Sequence, residues 1–182
     1  MPRTFHAIAA TTLACVLLLT GCAGEATPTE SPEPTATEAA PIFASDEEAL
    51  VAAAAAYDRY LESYSAIAAD GGAEPERIRE HLTDEYGAQL VEEFKGMQEV
   101  GVHTTGQVTA SGYRIQEYAH NSEKITVYAC QDVSSTRVID VDGGDITPTD
   151  RETSVPLVLE FVAVGSGVLL DGSTRWDGDS FC

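Results

Sequence analysis

The spacing of apolar residues changes twice along the chain, and each change marks a boundary. A predominantly apolar run covers Ala7 to Leu19, about 20 Å as a helix, short of the roughly 20 residues a membrane span requires. From Ala23 to Ala44 the apolar periodicity stops, and Pro28, Pro32, Pro34 and Pro41 are interleaved with Thr and Glu. Such a stretch cannot bury enough surface to offset its ordering entropy. Helical spacing then begins: Leu50, Ala53, Ala54, Tyr57, Leu61, Tyr64 and Ile67 follow an i, i+3, i+4, i+7 stripe. Ser45 and Glu48 form a capping box ahead of it, and Asp46 and Glu47 place anions at the positive end of the helix dipole. Gly71-Gly72 supplies the stop.

Pro75 opens a second, shorter helix through Ile78 and Leu82. Thr83 caps a third, in which Tyr86, Leu90, Val91, Phe94 and Met97 share a face and Gly101 ends the pattern. Beyond it the period becomes two, and segments 107–118, 124–133, 136–141, 154–164 and 168–176 read as strands. Asn121-Ser122, Ser134-Ser135, Asp142-Gly143-Gly144 and Gly165-Ser166-Gly167 separate them with turn chemistry. Links this short suit an antiparallel sheet. Pro156 fits an edge strand or the beginning of a strand. The expected class is α+β, with N-terminal helices packed on a curved antiparallel sheet.

The first apolar run ends in Leu19-Thr20-Gly21-Cys22, which resembles the bacterial lipobox. The resemblance implies a lipoprotein signal peptide over residues 1–21, a lipidated Cys22 as the mature N-terminus and a disordered linker over 22–44. The α+β domain then occupies 45–182. An ordinary secretory signal with a coincidental cysteine is the alternative. One acyl chain binds a membrane only marginally and two hold stably, so the implied location is the extracellular face of the cell membrane. A Thr/Pro/Glu tether behind such a box looks like the lipoproteins of high-GC Gram-positive bacteria.

The order of a long helix, two shorter ones and then hairpins is similar to the nuclear-transport-factor-2-like, or polyketide-cyclase-like, superfamily. The segments Tyr128-Ala129-Cys130-Gln131-Asp132 and Trp176 to Cys182 resemble actinobacterial secreted lipoproteins of unassigned function. The first likeness implies a cone-like sheet with a cavity beneath the long helix. The first hairpin of such a cone is not distinct in this sequence, which leaves strand order open.

Charge narrows the classes of partner. The 182 residues carry 10 basic against 30 acidic side chains, a formal charge of −20, which argues against nucleic acid. From Ser45 onward 26 acids face 9 basic residues, so the domain itself is acidic. An anionic bilayer repels it, and the lipid does the holding. Cys15 leaves with the signal, and Cys130 and Cys182 remain as an even pair. In an exported domain that pair reads as one disulfide. His81, His103 and His120 are scattered, and no zinc motif, nucleophile elbow, phosphate loop or dinucleotide fingerprint is present. No cofactor is expected.

Asp140, Asp142, Asp145 and Asp150 crowd one turn region, and Asp171, Asp177 and Asp179 another. They read as solvated turn carboxylates, with Ca²⁺ binding as the alternative, although the spacing fails the calcium-hand loop. Cone-fold enzymes place an acid or base with Tyr in the cavity, so Tyr57, Tyr60, Tyr64, Tyr128, Asp132 and Trp176 form the candidate pocket. Packing explains the same residues, because Tyr57 and Tyr64 sit at core helical spacing and Tyr128 shares a strand face with Cys130. The leading expectation is a non-enzymatic, lipid-anchored extracytoplasmic module that binds an envelope protein or a small ligand. A cone-fold hydrolase, isomerase or dehydratase acting on a small apolar substrate is the alternative.

Overall fold

Ser45 caps the first helix as predicted, while the return bond of Glu48 reaches the amide one residue before the cap. Its Oγ accepts from the Glu48 amide at 3.2 Å, and Glu48 Oε2 accepts from the Ala44 amide at 2.8 Å. The structure, a computed structural model, describes residues 42–119, 122–165 and 167–182. The signal, Cys22 and most of the tether lie outside the described residues, as do Asn121 and Ser166 of the expected turns. Helix α1 runs over Asp46–Ala69 and buries Ala49, Ala53, Ala56, Tyr57, Tyr60 and Leu61 along one face. Three alanines on that face let the helix axis approach its neighbours closely. At Gly72 the backbone turns with φ +83°, and an added Cβ would lie 2.3 Å from the Phe94 carbonyl oxygen. Only glycine fits there.

The second expected helix is a 3₁₀ helix, Pro75–His81, and it ends before Leu82. Leu82 is instead extended and makes an isolated parallel bridge to Leu170. Helix α2 follows over Asp84–Val100 and buries Leu90, Val91 and Phe94. Thr83 occupies its cap position without capping it; the hydroxyl donates to Asp171 Oδ1 at 2.7 Å, and the Thr83 amide donates to the Leu170 carbonyl at 3.0 Å. The start of α2 is thereby tied to the sheet.

Six strands follow: β1 His103–Thr105, β2 Thr109–Tyr118, β3 Lys124–Asp132, β4 Arg137–Ile139, β5 Ser154–Val164 and β6 Gly167–Arg175. They form a four-stranded antiparallel sheet in the order β2-β3-β5-β6 and a separate two-stranded antiparallel sheet of β1 and β4. The α+β arrangement of helices on antiparallel sheets is as the sequence predicts, but the strands are not a simple run of hairpins. β3 and β5 pair without a break from Lys124↔Val162 to Asp132↔Ser154, and the chain between them leaves the sheet to pair β4 with β1. Pro156 therefore lies near the start of a central strand, opposite Cys130, and not on an edge. Its missing N–H is tolerated there, and its carbonyl still accepts from the Trp176 amide at 2.9 Å.

Alternation assigns the sheet faces. Ile125, Val127 and Ala129 of β3, Leu157, Leu159 and Phe161 of β5, and Val168 and Leu170 of β6 are buried under the helices. On β2 the alternation breaks at register shifts between Ser111/Arg114 and Ile115/Glu117. Gly112, with φ +67°, lies in the first of these. A further shift between Glu160 and Phe161 leaves Asp171 unpaired on β6. Such bulges re-aim side chains, and this one carries the partner of Thr83.

Candidate functional site

The buried face of α1 carries a file of aromatic rings. Tyr57 and Tyr60 have ring centroids 5.5 Å apart, Tyr60 and Tyr64 5.9 Å, and Tyr64 reaches Phe94 of α2 at 5.1 Å. Buried phenols need hydrogen-bond partners, and Tyr57 finds one on the sheet. The Tyr57 hydroxyl donates to Gln131 Oε1 on β3 at 3.1 Å. Ser173 of β6 lies near the hydroxyls of both Tyr57 and Tyr86, and Tyr60 near that of Tyr86. Among the described residues no buried side-chain nitrogen or oxygen lacks a partner.

Burial is the main cause that raises these phenols above their ordinary value. Tyr86 is pushed up to about 12, by burial first and by the Glu93 carboxylate second. On the far side of Tyr57, Tyr113 is raised by burial and by donating to Asp58 Oδ1 at 2.6 Å. All of these rings stay neutral near pH 7, and Tyr57 and Tyr113 act as donors.

Where the chain leaves the four-stranded sheet, a partly open cavity of about 290 Å³ forms between α1, α2 and the β1–β4 pair. Tyr60, Tyr64 and Tyr86 form its aromatic wall, and Gln131 and Arg151 add amide and guanidinium groups. The exposed Glu93 carboxylate also lines it. Arg151 lies in the segment that returns to β5 and is half-buried. Its Nη1 donates to Thr136 Oγ1 at 2.9 Å, and Nη2 donates to the carbonyls of Val133 at 2.8 Å and Thr136 at 2.6 Å. Three neutral oxygens thus hold the guanidinium against the cavity.

The six residues singled out from the sequence do not form one pocket. Tyr57, Tyr60 and Tyr64 are under the helices, whereas Tyr128 lies on the opposite sheet face. There it packs against Trp176 at 5.4 Å and Phe181 at 5.2 Å, with the Arg114 guanidinium 5.0 Å from the Phe181 ring centre. Strand parity is the reason: Val127 and Ala129 point into the core, so Tyr128, Cys130 and Asp132 point away from it. Asp132 is exposed and accepts from the Ser134 amide at 2.7 Å, which lowers its carboxyl pKa. Cys130 and Cys182 form the expected disulfide on this outer side, with Cα atoms 5.6 Å apart. Gln131, Tyr86, Ser173, Glu93 and Arg151 belong to the inner site and were not among the sequence candidates. Parity would have found Gln131, which shares its face with Val127 and Ala129.

The acidic turns are occupied by their own backbone. Asp140 Oδ1 accepts from the amides of Asp142 at 3.0 Å and Gly144 at 2.7 Å, and Asp145 Oδ1 accepts from Thr147 at 2.9 Å. Among the described residues no group of three or more His, Cys, Asp or Glu side chains is placed to hold a metal ion. No helix among them is long and apolar enough to cross a membrane.

No family model matches the chain, and no curated protein matches it. Among solved structures, the intermembrane-space region of the chloroplast protein ARC6 is similar over 69% of this chain and 95% of its own, at 11% identity and a TM-score of 0.44. The Kfla4162 protein from Kribbella flavida is similar over 71% of this chain and 91% of its own, at 16% identity and a TM-score of 0.42. A de novo β-sheet design protein covers the same shares at 15% identity and a TM-score of 0.38.

Proposed function

We propose that this protein is a lipid-anchored extracytoplasmic binding module of the bacterial cell envelope, and that it takes a small ligand between α1, α2 and the β1–β4 pair. The observation that carries the binding role is the cavity of about 290 Å³ walled by Tyr60, Tyr64 and Tyr86. Its size is near the lower end of small-molecule sites, and rings with a few placed polar groups are their usual lining. The phenols and the guanidinium favour recognition over proton transfer. The phenols are held neutral by burial, and a guanidinium is always charged, so these groups donate hydrogen bonds and do not accept a proton near pH 7. The anchoring role rests on Leu19-Thr20-Gly21-Cys22 and the proline-rich tether.

Two measurements test the two halves. In cell fractionation the wild-type chain stays with the membrane and Cys22→Ser is released; equal partition of the two removes the anchor. For the cavity, the full chain in nanodiscs, labelled in its tyrosine rings, is titrated with small aromatic probes such as phenol and phenylacetate. Saturable shifts of the Tyr64 and Tyr86 signals, with Trp176 emission on the opposite sheet face unchanged, are expected. Absence of any shift at millimolar probe removes the binding role.

A further inference from the structure

The basic side chains of this acidic domain are mostly spoken for by carboxylates. Arg77 pairs with Asp70, Arg79 with Glu76, Lys95 with Glu92, Arg137 with Asp145 and Arg175 with Glu152. Arg151 differs, because its three hydrogen bonds all end on neutral oxygens. A guanidinium carries five N–H donors in a fixed planar fork, so two donors of Arg151, one on Nη1 and the one on Nε, are not engaged by the described residues. The three bonds fix the fork rigidly while its charge stays unneutralised by direct contact, beside a cavity lined by rings.

We infer that Arg151 is the specificity-determining group of this cavity and that the ligand is a small aromatic monocarboxylate. This rests on the binding role proposed above and names its ligand class. The carboxylate accepts one charge-assisted hydrogen bond from a free donor of the guanidinium; the Nε–H and the remaining Nη1–H lie on different edges of the fork, and a single oxyanion takes one of them. The ring lies against Tyr60, Tyr64 and Tyr86, where stacked or edge-on contacts are favoured. At a share of roughly 30 Å³ for each water-sized group, the cavity holds about ten heavy atoms, the size of phenylacetate. Glu93 lines the same cavity and disfavours a second negative group on the ligand.

The test compares phenylacetate with its neutral isostere phenylacetamide, and with acetate, on the full chain in nanodiscs, read by tyrosine-ring and arginine Nε–H NMR signals. Phenylacetate is expected to bind roughly tenfold or more tighter than phenylacetamide, the ratio a charge-assisted pair supplies. Acetate, without a ring, is expected to bind weaker than either. Arg151→Gln is expected to bring phenylacetate down to the affinity of phenylacetamide. Because Arg151 also ties Val133 and Thr136, the wild-type comparison decides the matter even where that variant fails to fold. Equal affinity for acid and amide in the wild type overturns the role of Arg151 and leaves the cavity a binding site. Failure of both to bind overturns the binding role with it.

Discussion

Replacing Cys182 by Ser removes one bond and leaves every other side chain in place, so its cost can be worked out beforehand. The disulfide joins residues 52 apart in sequence. For a loop of that length the chain-entropy model gives about 4 kcal/mol at 25 °C, acting through the unfolded chain. The native tail has other holds, since the Phe181 ring packs on Tyr128 at 5.2 Å and Trp176 Nε1 donates to the Asp179 carbonyl at 3.1 Å. A partly exposed aromatic pair adds about 1 kcal/mol. A chain ended after Trp176 loses the cross-link and these holds, and the difference between the two variants gives the ring packing together with the Trp176 hydrogen bond. Urea unfolding of the full chain, followed by far-ultraviolet circular dichroism, gives the stability and the denaturant slope together. Cys182→Ser should lose about 4 kcal/mol, equivalent to a fall in Tm of roughly 10–20 °C. Its slope should rise, because an uncross-linked unfolded chain exposes more surface. The truncated chain should lose about 1 kcal/mol more, and reductant should bring wild type to the level of Cys182→Ser. A loss under about 1 kcal/mol with an unchanged slope would refute the reasoning, because the cross-link would then not constrain the unfolded ensemble.

Ser45→Ala removes the acceptor for the Glu48 amide and should cost about 1 kcal/mol in urea unfolding; no change would mean that the α1 cap is supplied elsewhere. Gly106→Ala and Gly143→Ala share a left-handed backbone, φ +79° and +82°, but a Cβ at Gly106 would lie 2.2 Å from the Ser135 carbonyl oxygen and one at Gly143 meets nothing within 4 Å. Gly143→Ala should therefore cost about 1 kcal/mol for backbone strain alone, and Gly106→Ala clearly more; equal costs would refute the clash. Burial raises the phenols of Tyr57, Tyr60, Tyr64 and Tyr86, the last to about 12. Above pH about 10 the unfolded chain releases these protons while the folded chain keeps them, so stability should fall as pH rises from there to about 12. Tyrosinate absorbance should then appear for these residues together with unfolding, and their ionisation near pH 10 with the fold intact would contradict the burial.

Features encoded by neighbours in sequence were legible in sequence. The Ser45 cap, the Gly71-Gly72 stop and the bounds of β5 need no knowledge of the rest of the chain, and the Cys130–Cys182 pair follows from counting. Features set by tertiary partners were not. Thr83 reads as a cap, but its hydroxyl goes to Asp171, 88 residues away, which no local pattern contains. β1 is three residues long and exists because β4 comes to it. By residue type Tyr128 reads with the helix tyrosines, but strand parity separates it from them, because Val127 and Ala129 fix the inner face. Arg151 carries no local signal, since its acceptors are 15 and 18 residues back and the ring wall is more than 60 residues away.

The departure from a plain meander is what makes the site. Had the chain gone directly from β3 to β5 through a tight turn, the pairing from Lys124↔Val162 to Asp132↔Ser154 would be unchanged. Gln131 and Tyr57 would still meet. What would disappear is the excursion that carries β4 to β1, and with it Thr136, Val138 and Arg151 on that side of the cavity. The excursion has little apolar surface of its own: Val141 and Ile146 are exposed, and Thr136 is its buried member. It is held by Arg151 across its base, through Thr136 and Val133, and by Asp140 and Asp145 on their own turn amides. Arg151 thus closes the excursion and lines the cavity at once. A substitution there should alter ligand selection and β4 packing together, whereas Tyr86, on α2 and outside the excursion, should alter ligand affinity with the β1–β4 pair intact. Ring signals and amide exchange in β4, measured on Arg151→Lys and Tyr86→Leu, separate the two. Protection of the Val138 amide, bonded to Thr147 Oγ1 at 2.8 Å, should fall only in the arginine variant; a fall in both would place α2 among the supports of the excursion.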